Sequence, residues 1–187
     1  MTYNPRKAAQ TIAYLSLKND GEPLFIIKAV KLVYLADRES LRRRGHPIQS
    51  ESRVSMPHGP VNSLTLDYLN GAYDQQASGW SDFLSDRANN LVGLSRKNIT
   101  ASDLDQLSRA EMSILDSVWE EFGKMDRFEL RDWTHDPDNV PEWEDPNGSS
   151  SNIPLAKMMA AVGLNQSIQR ARELESLEQA SHLLDAL

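Results

Sequence analysis

The chain has 187 residues and a formal net charge of −7, with 40% hydrophobic and 25% charged residues and no cysteine. The length predicts one domain with its own core, the composition excludes collagen-like and wholly disordered chains, and the missing cysteine excludes a disulfide scaffold. No apolar run approaches the roughly 20 residues of a membrane span, and Met1 to Lys7 lead into an amphipathic segment without a signal-type apolar core, so the expected location is the cytoplasm.

Asn4 followed by Pro5 starts a helix, with a capping side chain and then proline in the first turn. Ala8, Ala9, Ile12, Ala13 and Leu15 follow at helical spacing, and the turn cluster Asn19 to Pro23 ends the segment. From Leu24 to Ala36 the chain is apolar almost all round, which predicts a central buried helix. Its continuation from Asp37 to Arg44 turns polar and is expected to emerge into solvent before Gly45 and Pro47 stop it. Lys28 and Lys31 are expected to snorkel out of the core.

Arg53 to Met56 suits a short strand that Pro57 and Gly59-Pro60 break. Asn62 can cap a helix carrying Leu64, Leu66, Tyr68 and Leu69, ending at Gly71. Trp80, Phe83 and Leu84, then Leu91, Val92 and Leu94, flank Asp86 to Asn90 and predict a small β-hairpin. Ser108 and Glu111 form a capping box before a helix with Met112, Leu115, Trp119 and Phe122 on one face, closed by Gly123. Asp126 and Glu129 repeat that pattern before a short helix bearing Leu130 and Trp133.

His135 to Ser151 reads as a long loop, a class of segment that is usually functional or mobile. Pro154 restarts a helix as far as Gly163, and Asn165 to Leu187 forms a last amphipathic helix with Leu164, Ile168, Ala171, Leu174, Leu177, Leu184 and Leu187 on its apolar side. The expected fold is mainly α: a compact helical domain around a buried central helix, with a small β-hairpin or short-strand element. Residues 1–163 make up the domain and 164–187 a helical extension packed on it or projecting from it.

Charge is uneven. Residues 1–61 carry ten Lys/Arg against five Asp/Glu, residues 62–187 ten against twenty-two, and Asp126 to Asp145 contain eight acids and two arginines. Such a balance disfavours nucleic acid as a partner, since phosphate neutralisation needs a cationic surface, and favours a basic protein, whose opposite potential speeds encounter. No helix-turn-helix with a basic recognition helix stands out.

Catalytic patterns are scarce. His46, His58, His135 and His182 offer no i, i+4 pair for zinc, and thiolates are absent. His135-Asp136 resembles the HD doublet of metal phosphohydrolases, but it ends a helix and enters a Pro-rich loop. There is no G-x-S-x-G elbow and no phosphate-cradling glycine motif. Adjacent acids such as Glu120-Glu121 point to different helix faces and read as solvation rather than a dyad. His58, between two prolines, reads as a fixed turn residue, and Trp133 and Trp143 as loop-packing aromatics. A protein-binding module is therefore favoured over an enzyme.

Three segments resemble the Panacea-domain family of SocA-like antitoxins. The first is Lys31-Leu32-Val33-Tyr34-Leu35-Ala36-Asp37 with Gly45-His46-Pro47-Ile48; the second is Val54 to Val61, with Met56-Pro57-His58 where a more aromatic or basic run is usual; the third runs from the Ser108–Glu111 cap through Leu115, Phe122-Gly123 and Leu130 to Trp133-Thr134-His135 and Pro141-Glu142-Trp143. The resemblance extends from about Lys7 to Val162. It implies a mainly helical antitoxin of a bacterial or phage toxin–antitoxin pair, acting by direct contact with a toxin encoded beside it, without catalysis, cofactor or metal. One branch of the family instead delivers its toxin to a protease as an adaptor, and a metal-dependent phosphohydrolase using His135 and Asp136 is the remaining alternative.

Lys31, Tyr34, Asp37, His58, Gly59, Pro60, Val61, Thr134 and His135 carry the family signature and are expected to keep the fold. The expected partner-binding residues are Arg42, Arg43, Asp136, Asp138, Glu142, Trp143, Glu144 and Asp145. The acidic ones could cover the cationic active site that a toxin acting on RNA or nucleotides requires.

Overall fold

The computed structural model describes residues 3–85 and 89–185. Helix α1 (Pro5–Lys18) starts as its sequence predicts, with Asn4 Oδ1 accepting the Lys7 amide at 3.0 Å. Leu24 and Phe25 are not helical. They form strand β1, antiparallel to β4 (Leu91–Val92), a pairing between distant segments that local periodicity does not signal. Helix α2 (Ile26–Arg44) follows and stops at Gly45, whose φ of 77° closes the last turn with an amide bond to the Leu41 carbonyl.

Two cores grip α2, which explains its apolar circumference. Ala29, Leu32, Val33 and Ala36 lie in the main core with α1, α4 (Arg109–Phe122) and the Trp80, Phe83 and Leu84 side chains. Tyr34 and Leu41 lie in a smaller core with Val140, Ile153, Met158, Met159 and Ala171. The second core is supplied by the stretch after α5 (Arg127–His135), by α6 (Leu155–Ala161) and by α7 (Ser167–Asp185). Each fully buried aliphatic side chain here contributes about 1.5–3 kcal/mol.

Asp37 does not emerge into solvent. It is 0% exposed, and Ser40 and Leu41 are equally buried; Arg38 and Glu39 are half-buried, and only Arg42 to Arg44 are exposed. The Asp37 carboxylate accepts the Ile48 and Gln49 amides at 2.9 Å each through Oδ1, and Asn62 Nδ2 at 2.9 Å and Arg53 Nη2 at 3.0 Å through Oδ2. Those bonds tie the chain leaving α2, and the strands beyond it, back onto the helix.

Strand β2 (Arg53–Met56) forms as expected, but Pro57 and Gly59-Pro60 do not end the β-structure. Pro57 and His58 make a turn, and β3 (Gly59–Asn62) returns antiparallel in the register Arg53↔Asn62 to Met56↔Gly59. Pro60 is tolerated because β3 is an edge strand; β5 (Ser151–Asn152) pairs with the other side of β2. Asn62 precedes α3 (Ser63–Leu69) without capping it through its side chain. Glu51 takes that role from outside the helix, accepting the Thr65 amide at 2.8 Å and the Thr65 hydroxyl at 2.6 Å.

Among the described residues the expected hairpin around residue 90 consists of the Leu84–Leu94 bridge, in which the Ser85 amide donates to the Gly93 carbonyl and the Ser95 amide to the Phe83 carbonyl, while Leu91 and Val92 pair with β1 instead. Its turn residues Asp86 to Ala88 lie outside the described residues. Both capping boxes are present, Ser108 with Glu111 and Asp126 with Glu129. Pro154 precedes α6 as predicted. Helix α7 packs on α6, but its apolar side is not fully covered: Ala171 is buried, whereas Ile168 and Leu177 are 61% and 65% exposed. The side chains of Leu184 and Leu187 lie outside the description. Among the described residues no helix is long and apolar enough to cross a membrane.

Replacing Asp37 with alanine strands a buried guanidinium and three other donors at once. It is expected to lower the unfolding free energy by about 3–5 kcal/mol, measured by urea denaturation. Arg42→Ala at the exposed end of the same helix should stay within about 0.5 kcal/mol of the wild type.

Candidate functional site

A row of polar side chains runs along one face of α2. Lys31, Tyr34 and Arg38 stand three and four residues apart, the spacing that stacks side chains on one helical face. Each is held by an element from later in the chain. Lys31 is 1% exposed and does not snorkel: its Nζ donates to the Pro60 carbonyl at 2.9 Å, and burial pushes its amine down to about 7. Lys28, half-buried, donates to the Gly123 and Met125 carbonyls at 2.6 and 2.8 Å and so closes the C-terminus of α4.

Tyr34 and Arg38 converge on Glu142. The Tyr34 hydroxyl donates to Oε1 at 2.8 Å, and the Arg38 guanidinium pairs with the same carboxylate, with Nε at 2.7 Å from Oε1. Burial, and then the Glu142 charge, hold the Tyr34 phenol well above its ordinary value. Glu142 itself is 1% exposed. It is therefore removed from the expected partner-binding set, because its carboxylate lies inside the protein and is occupied by Tyr34 and Arg38.

That contact ties the segment after α5 to α2. Val140 enters the second core, Trp143 Nε1 donates to the Met56 carbonyl at 3.2 Å, and the Trp143 ring meets His135 edge-on with centroids 4.7 Å apart. Trp143 is thus half-buried packing rather than a free aromatic. Because Val140, Glu142 and Trp143 turn inward, Asp136, Asp138, Glu144 and Asp145 are left exposed. Asp136 and Asp145 accept the amides of Asp138 and Asn147, and Glu144 pairs with Lys157 of α6. Arg42 and Arg43, at the other exposed feature, both pair with Glu39 and line a groove with α4 and the end of α6.

The signature residues lie together behind this face. Gly59 has a φ of +90°, and a Cβ there would stand 2.8 Å from Lys31 Nζ and 2.9 Å from Thr134 Oγ1, so only glycine lets the hairpin approach α2 and α5 this closely. Val61 is in the main core, and the buried Thr134 hydroxyl donates to the Arg131 carbonyl. His58 is exposed in the turn. The two ring nitrogens of His135 lie 2.7 Å from the Arg131 carbonyl and 2.9 Å from the Pro57 carbonyl. A ring engaged by backbone on both sides is a brace between α5 and the hairpin and has no lone pair directed at a metal. Among the described residues no group of three or more His, Cys, Asp or Glu side chains is placed to hold a metal ion.

Glu142 as an internal clamp was the feature that local reading missed. The signal was the polar row on an otherwise apolar helix: Lys31, Tyr34 and Arg38, on a helix packed from two sides, each require a partner, though not a particular one.

A family model described as "Antitoxin SocA-like, Panacea domain" matches residues 30–144, from within α2 to just past Glu142. That span contains both ends of the Tyr34–Arg38–Glu142 clamp and the whole β2–β3 hairpin. No curated protein and no solved structure gives a match.

Two outcomes check the site. Glu142→Ala leaves Arg38 and Tyr34 unpaired and should cost about 3–5 kcal/mol, with protease cleavage appearing between residues 136 and 151 under native conditions; Asp145→Ala should do neither. Lys31, whose amine is depressed when folded, binds fewer protons in the native than in the unfolded chain between about pH 7 and its ordinary value near 10.5. Stability attributable to it therefore rises with pH across that window, by at most about 1.4 kcal/mol per pH unit, and Lys31→Met should remove that part of the slope in unfolding titrations.

Proposed function

The chain belongs to the SocA-like antitoxin family with a Panacea domain, and from that membership we propose that it is the antitoxin of a toxin–antitoxin pair that neutralises its toxin by direct protein contact. The family match over residues 30–144 carries the reading. The exposed acids after α5 support a contact surface: Asp136, Asp138, Glu144 and Asp145 are borne on a segment anchored by Val140, Glu142 and Trp143. A rigidly held acidic face suits the cationic active site of a toxin acting on RNA or nucleotides, because little ordering entropy is lost on binding and long-range attraction speeds encounter. Arg42 and Arg43 share Glu39 and serve at most as rim contacts.

The test is co-expression with the product of the adjacent open reading frame. Toxicity of that product alone, growth restored by this chain and a stable co-purified complex are the expected results. Restored growth with loss of the neighbour, dependent on a protease, would assign the chain to the adaptor branch instead. A neighbour without toxicity would refute the pairing.

Given the complex, alanine at Asp136, Asp138, Glu144 and Asp145 together should slow association about tenfold at low salt and flatten its ionic-strength dependence, with little change in dissociation. Stopped-flow binding reads both. Association as fast as that of the wild type, with the same salt slope, would move the contact elsewhere on the surface.

A further inference from the structure

We infer that the cleft between α2, the β2–β3 hairpin and the start of α5 is a binding site for a small organic acid, a carboxylate on an apolar body, anchored by the Lys31 ammonium. This stands independently of the antitoxin reading.

The cleft encloses about 860 Å³, within the range of about 300–1,000 Å³ in which small-molecule sites fall. Its walls are apolar, chiefly Ile27, Val30, Met56, Val61 and Leu66. Phe25 and Phe128, 38% and 48% exposed, flank its mouth with the Arg127 guanidinium 3.8 Å above the Phe25 ring. Among the described residues, the ionisable ones lining it are Lys31, His58 and Arg127, with no carboxylate. In a chain of net charge −7, this is a pocket of the opposite sign.

Lys31 is the distinctive element. The other cations held inside near α2 have their counter-charges: the buried Arg53 pairs with Asp37, and the half-buried Arg38 with Glu142. Lys31 is more buried than either, yet among the described residues it has one bond, to the Pro60 carbonyl, and no acidic partner. A carbonyl uses one of the three N–H donors of an ammonium and does not neutralise it. A buried cation without a counter-ion is costly, and a ligand carboxylate entering the cleft supplies the missing charge while its apolar body meets the walls. Gly59 lies directly against the amine: a Cβ there would stand 2.8 Å from Nζ and fill the space beside it. Lys31 lines the cleft and is 1% exposed, which suits a slender ligand rather than the face of a folded protein.

The probes are octanoate, below its micellar concentration, and the uncharged 1-octanol, followed by amide shifts of the full-length ¹⁵N-labelled chain. Octanoate should bind saturably, shifting Val30, Lys31, Gly59 and Val61, at least about tenfold tighter than 1-octanol. Lys31→Met should bring octanoate to within about twofold of 1-octanol while leaving 1-octanol unchanged.

Raising the pH from 6 to 9 should weaken octanoate binding, because the Lys31 amine, pushed down to about 7 by burial, loses its proton. The groups facing it from the packed elements are the Pro60 carbonyl of β3, the Thr134 hydroxyl of α5, and His58 and Arg127 at the mouth. Arg127 stays charged throughout, and His58→Asn should leave the pH dependence in place. Octanoate that shifts none of the cleft residues, binds no better than 1-octanol, or binds Lys31→Met as well as the wild type overturns the assignment. If Lys31→Met fails to fold without its bond to Pro60, the octanoate and 1-octanol comparison and its pH dependence in the wild type decide alone.

Discussion

A helix packed from two sides has no solvent to which its polar side chains can turn, and that constraint organises this protein. Within α2, Lys31, Tyr34 and Asp37 are almost completely buried and Arg38 is half-buried. Each must find a partner inside, because an unmatched buried polar group costs as much as several well-placed contacts contribute. The partners come from everywhere else in the domain: the hairpin carbonyl of Pro60, the carboxylate of Glu142, the amides of Ile48 and Gln49, and the side chains of Arg53 and Asn62. Satisfying one helix thereby specifies where the hairpin and the segment after α5 must sit.

The same constraint divides the acidic segment into two populations. Glu142 is drawn in to meet Tyr34 and Arg38, while Asp136, Asp138, Glu144 and Asp145 stay in water. A carboxylate in a dry interior is held by specific geometry, whereas exposed carboxylates act mainly through their summed field. The buried acid therefore gives the segment its shape, and the exposed acids give it its charge. His135 and Trp143 complete the brace by reaching the hairpin at Pro57 and Met56, so the acidic face is carried by the fold rather than by a tether.

Lys31 shows how one residue can serve the fold and still leave capacity over. Its bond to Pro60 secures β3 against α2, yet its charge is not matched as those of Arg38 and Arg53 are. A buried amine that lines an apolar cleft without an acidic partner is a local conflict between stability and environment, and such conflicts are expected where a site binds something.

Much of this architecture was legible from local pattern. The Asn4-Pro5 start, both capping boxes, the Gly45 stop and the all-round apolar helix are read from residues a few positions apart, because caps and helical periodicity are short-range physics. The resemblance carried by Lys31 to Asp37, Val54 to Val61 and Trp133 to Trp143 likewise rests on linear motifs. Long-range contacts, by contrast, make Leu24 and Phe25 leave the helix to pair with Leu91 and Val92, turn Gly59 and Pro60 into an edge strand, and draw Lys31, Asp37 and Glu142 inside. The order of residues along the chain is enough to say which positions are polar and which helix faces are apolar. Which polar residues are buried depends on partners up to 108 positions away, such as Glu142 for Tyr34, and no local pattern encodes a hydrogen bond whose two ends meet only after the chain has folded.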